Sequence, residues 1–445
     1  MTDQSEEARW QFVRKELQRI DGTSPTKFKA SEKHKKMARS PFQFLRGSAQ
    51  LFYADIAANL ITIPSAFYDA PLTRIMGDCH FSNFGFFTEE GSHSDTVIWA
   101  PNDFDDACEG PAVFDILRFL TSLHLLGDYL EGLKAGRYST EEIEDPEDKP
   151  VPSAKAINKA CAKFLTAWAD TAKEIAVNLD LRDQEIEKFG KKHFLHPHMA
   201  KTHQRTAVGK KFMTKSTVGK LAHIVGKGVR FKSPHEKLAP IDARRRAAVI
   251  AAMRPYMDDE ILDVALRLGA GTGSVNVDRF YLLVGPKGPV TEAELPLAHV
   301  VEVKQQREAA MIHHFPDMSP INTLMPAHLT VECQRRMNRR PDLILDDLEW
   351  DGHHWLVRSR HHARYGVDPE DIMEADNPDK AFVQYAEACA QSLAIAHSRG
   401  DRRSTLFETA MVDAIKTHGD ELLATAETYA QQAVTDHGLL TQAIG

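Results

Sequence analysis

The chain predicts an α+β fold, with a mostly helical large part and a small five-stranded antiparallel sheet lobe, on three grounds. Long stretches carry apolar residues at helical spacing, as in Ala112 to Leu133, where Phe114, Leu117, Leu120, Leu123, Leu126 and Leu130 share one wide face. Short runs of strand formers cluster between positions 262 and 360. Turn chemistry such as Gly285-Pro286 and Asp351-Gly352 separates those runs. A length of 445 residues suggests two or three domains or lobes, and 42% hydrophobic residues can fill their cores.

In chain order, Glu6 to Ile20 reads as an amphipathic helix through Trp10, Phe12, Val13, Leu17 and Ile20. Positions 22–40 read as a basic linker. Ser40-Pro41 is a helix start signal for Phe42 to Leu60, a face that Arg46 interrupts. Thr96 to Ala100 is a short strand that stops at Pro101. Helices are expected over Ala112 to Leu133, Ala154 to Val177 and Arg244 to Met257, with an acidic loop at 138–153. Between 189 and 245, basic residues from Lys191 to Lys237, interspersed with His and Gly, read as a solvated insertion, with an anion-binding surface as the other reading. Strands follow at Val264 to Leu268, Phe280 to Val284, His299 to Lys304, Leu343 to Leu348 and Trp355 to Val357, with a helix over Leu324 to Met337. Ala381 to His397 and Leu406 to Leu439 close the chain as helices. The pattern changes divide it into 1–34, 35–188, 189–260, 261–360 and 361–445.

The chemistry concentrates between Gly77 and Asp115. Gly77-Asp78-Cys79-His80-Phe81-Ser82-Asn83 precedes Asn102-Asp103-Phe104-Asp105-Asp106, then Gly110-Pro111 and Asp115. Asp78 and Asn83 are close enough for one loop to aim both at one point. Converging carboxylates repel one another, so such a site usually holds a cation. Phosphoryl transfer needs these parts: a carboxylate that orients or deprotonates the attacking hydroxyl, and an amide oxygen with a second carboxylate for magnesium. Asp78 fits the first role; Asn83 and Asp103 fit the second. Asp115, where a helix begins, is placed to brace the loop by accepting backbone hydrogen bonds. Asp and Asn beside Gly are also ordinary turn residues, so the weight lies in the combination.

Gly77-Asp78-x-His80-x-x-Asn83 with Asp103-Phe104-x-x-Ala107-x-x-Gly110-Pro111-x-x-x-Asp115 resembles the catalytic and metal-binding loops of aminoglycoside and choline kinases, members of the protein-kinase-like superfamily. From roughly residue 35 to 440 the chain is also similar to the bacterial family catalogued as domain of unknown function 2252. That second match is carried by Ser40 to Gly47, the stretch above, Gly271-x-Gly273-Ser274, Val303-Lys304, Val331-Glu332-x-Gln334-Arg335 and Ala396-His397-x-Arg399-x-Asp401. The kinase resemblance implies a two-lobe fold with the 261–360 sheet as the nucleotide lobe. There Gly269, Gly271, Gly273 and Ser274 would approach phosphates, Lys304 would hold them, and Glu332 would pair with Lys304. Lobe order is then reversed, since Asp78 and Asp103 precede Lys304, as in a circular permutation. The expected activity is an ATP- and Mg2+-dependent phosphotransferase. The alternatives are a nucleotide-binding pseudokinase scaffold and an AMP transferase on the same fold. His80, Asp105 and Arg46 are expected in support, Arg46 as a partner for an acidic loop. Arg399 and Asp401 are further residues to place.

A formal charge of −8 argues against general nucleic-acid binding. Five scattered Cys residues form no Cys-x-x-Cys pair, which fits reduced thiols in a cytoplasm better than a disulfide frame or a zinc site. The polar first thirty residues carry no signal peptide, and no run approaches a membrane span. The expected partner is a small-molecule or protein acceptor.

Overall fold

Side-chain caps open six of the described α-helices in the computed structural model, which describes residues 3–269, 278–288 and 290–445. Helix α1 (Asp3–Asp21) buries Val13 and Leu17 against Leu440. Inside the expected linker lies α2 (Glu32–Met37), closed by a capping box in which Ser31 and His34 exchange hydrogen bonds. The expected Phe42 to Leu60 helix is two helices, α3 (Pro41–Gly47) and α4 (Ala49–Ala57). They part at Ser48, whose hydroxyl donates to Phe44 O at 2.7 Å and so satisfies the backbone outside a helix. Ser40 caps α3 by accepting from Gln43 N at 3.2 Å, with Pro41 in the first turn.

Four short strands follow. β1 (Thr73–Ile75) pairs antiparallel with β4 (Cys108–Gly110), and β2 (Phe84–Thr88) pairs antiparallel with β3 (Val97–Pro101). Helix α5 (Ala112–Lys134) then enters the helical part and is buried almost all round, including Asp115, Arg118, Thr121 and Ser122. Helix α6 (Ala154–Val177), capped by Ser153, packs beside it through Phe164 and Trp168.

The basic segment is more structured than a solvated insertion. It holds α7 (His196–His203), α8 (Phe212–Lys215), α9 (Thr217–Leu221), the hairpin β5 (Ala222–Val225) and β6 (Gly228–Phe231), and the edge strand β7 (Leu238–Ala239). Its lysines mostly face solvent, but Phe212, Val218, Val229 and Phe231 are buried against Tyr281, Leu283 and Val300. Helix α10 (Ala243–Met253) starts at Asp242, which accepts from Arg245 N at 2.9 Å.

The main sheet has six strands where five were expected. β8 (Glu260–Arg267), β9 (Arg279–Gly285), β10 (His299–Gln305), β11 (Leu345–Trp350) and β12 (His353–Arg360) run in the spatial order β11-β12-β10-β9-β8-β7. Its neighbouring strands are antiparallel. The sixth, β7, is two residues from the basic segment paired with Leu266 and Arg267, too short to carry a period-2 signal. Helix α11 (Pro326–Met337) lies between sheet and helices. Ala327 and Val331 meet Leu345 and Leu356, while Leu329, Cys333 and Met337 join the helical core. After β12 the chain returns through β13 (Arg364–Gly366), which pairs with β2. Helices α12 (Pro378–Gly400) and α13 (Leu406–Ile444) complete the helical part.

The two faces of the sheet differ. Val301, Val303, Phe280, Leu282, Trp355 and Val357 pack against Val249 and Met253 of α10. On the opposite face Glu302 and Lys304 alternate with those valines, beside Arg279, Arg358 and Arg360. That charged face looks toward the Gly77–Asp115 stretch. All five cysteines are buried and unpaired. Among the described residues no helix is long and apolar enough to cross a membrane.

Candidate functional site

Asp115 fixes the first loop from below. In the first turn of α5, its carboxylate accepts from Met76 N at 2.7 Å and Gly77 N at 3.1 Å, and His397 Nε2 lies 3.0 Å away. Gly77 takes φ +74°, and a Cβ there would stand 1.8 Å from the Asp106 carbonyl oxygen. Glycine is therefore what lets the 77–83 loop touch the 102–107 loop.

Asp78 leaves this loop with Oδ1 held by Arg118, Nε at 2.8 Å and Nη2 at 2.5 Å. His80 Nε2 lies 3.7 Å from Asp78 Oδ2. Burial, with Arg46 and Arg118 nearby, pushes the His80 imidazole well below its usual range, so it stays neutral. Asn83 Nδ2 donates to Asp78 O at 2.8 Å, leaving the amide oxygen for another partner.

In the second loop, Asp103 Oδ1 accepts from Asp105 N at 3.2 Å. Burial and the neighbouring Asp105 charge raise Asp103, against the pull of Lys304 and Arg358. Asp105 goes the other way. Burial would raise it, but Lys304 and Arg358 more than offset that and lower it. The divergence follows from Lys304, which pairs with Asp105 and leaves Asp103 buried beside a charged neighbour. Lys304 Nζ donates directly to Asp105 Oδ2, and Gln306 Nε2 donates to Asp105 O at 2.6 Å. Asp105 Oδ1 has no partner. Asp106 is buried rather than a solvated turn acid, and its Oδ1 accepts from Ala310 N at 2.9 Å.

These loops and the charged sheet face enclose one cavity of about 320 Å³. Asp78, His80, Asn83, Asp103, Asp105, Lys304 and Arg46 all line it. Arg46 points into the cleft instead of pairing with an acidic loop; its Nη1 donates to Gln43 Oε1 at 3.3 Å and its Nε has no partner. Glu332 does not pair with Lys304. It binds Arg74 at 3.2 Å and Arg336 at 2.9 Å, because α11 turns that position toward β1 and its own next turn. Gly269 is left-handed, with open space around it, while Gly271, Gly273 and Ser274 lie outside the described residues. Arg399 belongs to structure, not to the cleft: it binds Glu185 at 2.6 Å and Met337 O at 2.9 Å. Asp401 pairs with Arg403 at 2.8 Å.

The sequence reading missed the cleft's cationic wall. Arg279, Arg307, Arg358, Arg360 and Arg364 line the cavity with Arg46 and Lys304, seven basic side chains facing the carboxylates of Asp78, Asp103, Asp105 and Asp106. Glu302, fully buried, neutralises part of this wall by binding Arg279 at 3.1 Å, Arg358 at 2.9 Å and Arg360 at 3.4 Å. Arg364 is lowered by the adjacent Arg360 charge first, then by burial and Arg358. The cleft thus carries positive charge that its own acids do not cancel, which is the electrostatics of a polyanion site. The alternation Arg358-Ser359-Arg360 on a strand was the available signal, since it places both guanidinium groups on one face.

A family model described as "Uncharacterized protein conserved in bacteria (DUF2252)" matches residues 27–142 and 148–443. No curated protein and no solved structure matches the chain.

Proposed function

This chain belongs to the DUF2252 family of uncharacterised bacterial proteins, and for it we propose a phosphotransferase that uses ATP and magnesium, built on a kinase-like arrangement with its two lobes in permuted order. One observation carries the reading. Lys304, on the sheet, and Asp78, Asn83 and Asp103, more than two hundred residues earlier on the helical side, line the same cavity. The surplus of arginines around them supports a triphosphate as the occupant.

In this reading Lys304 and the Arg358–Arg364 wall hold the phosphates. The Asn83 amide oxygen and the Asp103 carboxylate fit a hard cation, whose charge would offset that of the phosphates. Asp78, oriented by Arg118, accepts the proton of the attacking hydroxyl. Nucleotide entry has to detach Lys304 from Asp105, and the released Asp105 carboxylate is then available to the cation.

ATP labelled at the α or γ position, incubated with purified protein and magnesium, separates the options. A γ-label on an acceptor or on water supports the proposal. An α-label moves the reading to AMP transfer, and binding without transfer moves it to a pseudokinase. Asp103→Asn and Lys304→Ala are expected to lose magnesium–ATP binding. Asp78→Asn should keep binding and lose turnover by about 10²- to 10⁴-fold, the usual worth of a general base. Wild-type binding and turnover in Asp103→Asn and Lys304→Ala would remove this site.

A further inference from the structure

Away from the cleft, the turn between β2 and β3 meets the main sheet through three side chains: His93 on the turn, Asp258 just before β8, and His299, which opens β10. His93 Nε2 lies 2.6 Å from Asp258 Oδ2, and His299 Nε2 lies 3.3 Å from Asp258 Oδ1. One ligand atom from each lies within 4.8 Å of the others. A tetrahedral zinc ion holds neighbouring donors roughly 3.3 Å apart, so modest rotations would bring all three onto one ion.

Two details point to a bound ion rather than a surface ion pair. His299 is only 4% exposed, and apart from the 3.3 Å approach to Asp258 its Nε2 has no partner. His93 Nδ1 lies 3.3 Å from the Glu90 carbonyl, which can only accept, so that nitrogen carries the ring proton. Nε2 is then the ring atom turned toward Asp258. A backbone carbonyl on the far nitrogen is also how metal-binding imidazoles are oriented.

We infer that His93, Asp258 and His299 form a site for a zinc-class divalent ion, distinct from the magnesium-type site proposed in the cleft. Two imidazoles and one carboxylate favour zinc, cobalt or nickel over magnesium, and three protein ligands leave a fourth position open. His93 and Asp258 are partly exposed, so the ion can exchange with solvent. Its structural effect is to clamp the 89–96 turn to the sheet. That joins the segment carrying β2 and β3 to the ends of β8 and β10.

The test uses full-length protein stripped of metal and loaded with Zn2+, and separately with Co2+ for its visible absorption. Wild type should retain one equivalent after gel filtration. His93→Ala and Asp258→Asn should each weaken retention by more than about tenfold, since changes even to outer-shell partners cost that much. Asp103→Asn, in the cleft, should retain the ion as wild type does. Zinc should also raise the melting temperature of wild type and slow amide exchange in 89–96, and do neither in His93→Ala. No retained zinc, equal retention in His93→Ala and Asp258→Asn, or loss in Asp103→Asn alone would each overturn the assignment. Both substituted side chains are at the surface, so loss of folding does not confound the result.

Discussion

Asp342 shows how one buried group ties stability to pH. It is 5% exposed, and its Oδ2 has no partner. Burial pushes it up to about 7, even though Arg358 and Arg360 pull the other way. Because its folded-state value lies above the unfolded one, the native protein keeps this proton between about pH 4 and 7 while the unfolded chain has lost it. Its effect on stability is therefore increasingly unfavourable as pH rises through that window, and level above it. Asp342→Asn removes the titration. It should melt higher than wild type at pH 8, by a few kcal/mol of stability, with the gap closing as pH falls toward 4. Thermal melts at pH 8, 6 and 4 measure this, and a gap that ignores pH rules out Asp342 as its source.

At the scale of elements, the approach of the 77–83 and 102–107 loops depends on Gly77. Gly77→Ala meets both a left-handed conformation and the Asp106 backbone, so it should lose about 2–5 kcal/mol, the sum of the two penalties. Gly136→Ala has the same handedness, φ +70°, but open space around it, and should lose only about 1–2 kcal/mol. Urea midpoints compare them; equal losses would mean that the loop contact is slack. Elements with strong local chemistry were legible in the sequence. Ser40-Pro41 starts α3 where its chemistry predicts, and the helix expected over Ala154 to Val177 spans those residues. The Ser48 break was not, because it follows from a side-chain bond to Phe44 O that composition does not reveal. The six-residue α2 is too short to show a period, and β7 exists only because Leu266 and Arg267 pair with it from another segment. In the site, the acidic and amide residues stand together in sequence and could be read. The arginines come from β9, β12, β13 and the segment after β10, and only the packing gathers them. The carboxylate partner of Lys304 was misread because the resemblance pointed to Glu332, whereas the fold supplies Asp105.

Over the whole molecule, helices and sheet are joined by more than the cleft. Arg339 clamps Glu89 through two bonds of 2.6 and 2.7 Å, Asn322 exchanges two bonds of 2.9 Å with the Glu109 backbone, and α11 belongs to both cores. Such ties favour a cooperative molecule over two independent ones. Its cysteines offer a way to watch that cooperativity. Cys79, Cys108, Cys161, Cys333 and Cys389 are all buried, and burial raises each thiol, Cys161 to about 12. Only thiolates alkylate quickly, so the native protein should ignore iodoacetamide, and each modified molecule should record an opening event. Mass spectrometry after timed labelling would then map which region breathes first. Against that silent background, a cysteine placed at cleft-lining Ser82 would be the lone reactive handle, ready to carry a fluorophore that reports what enters.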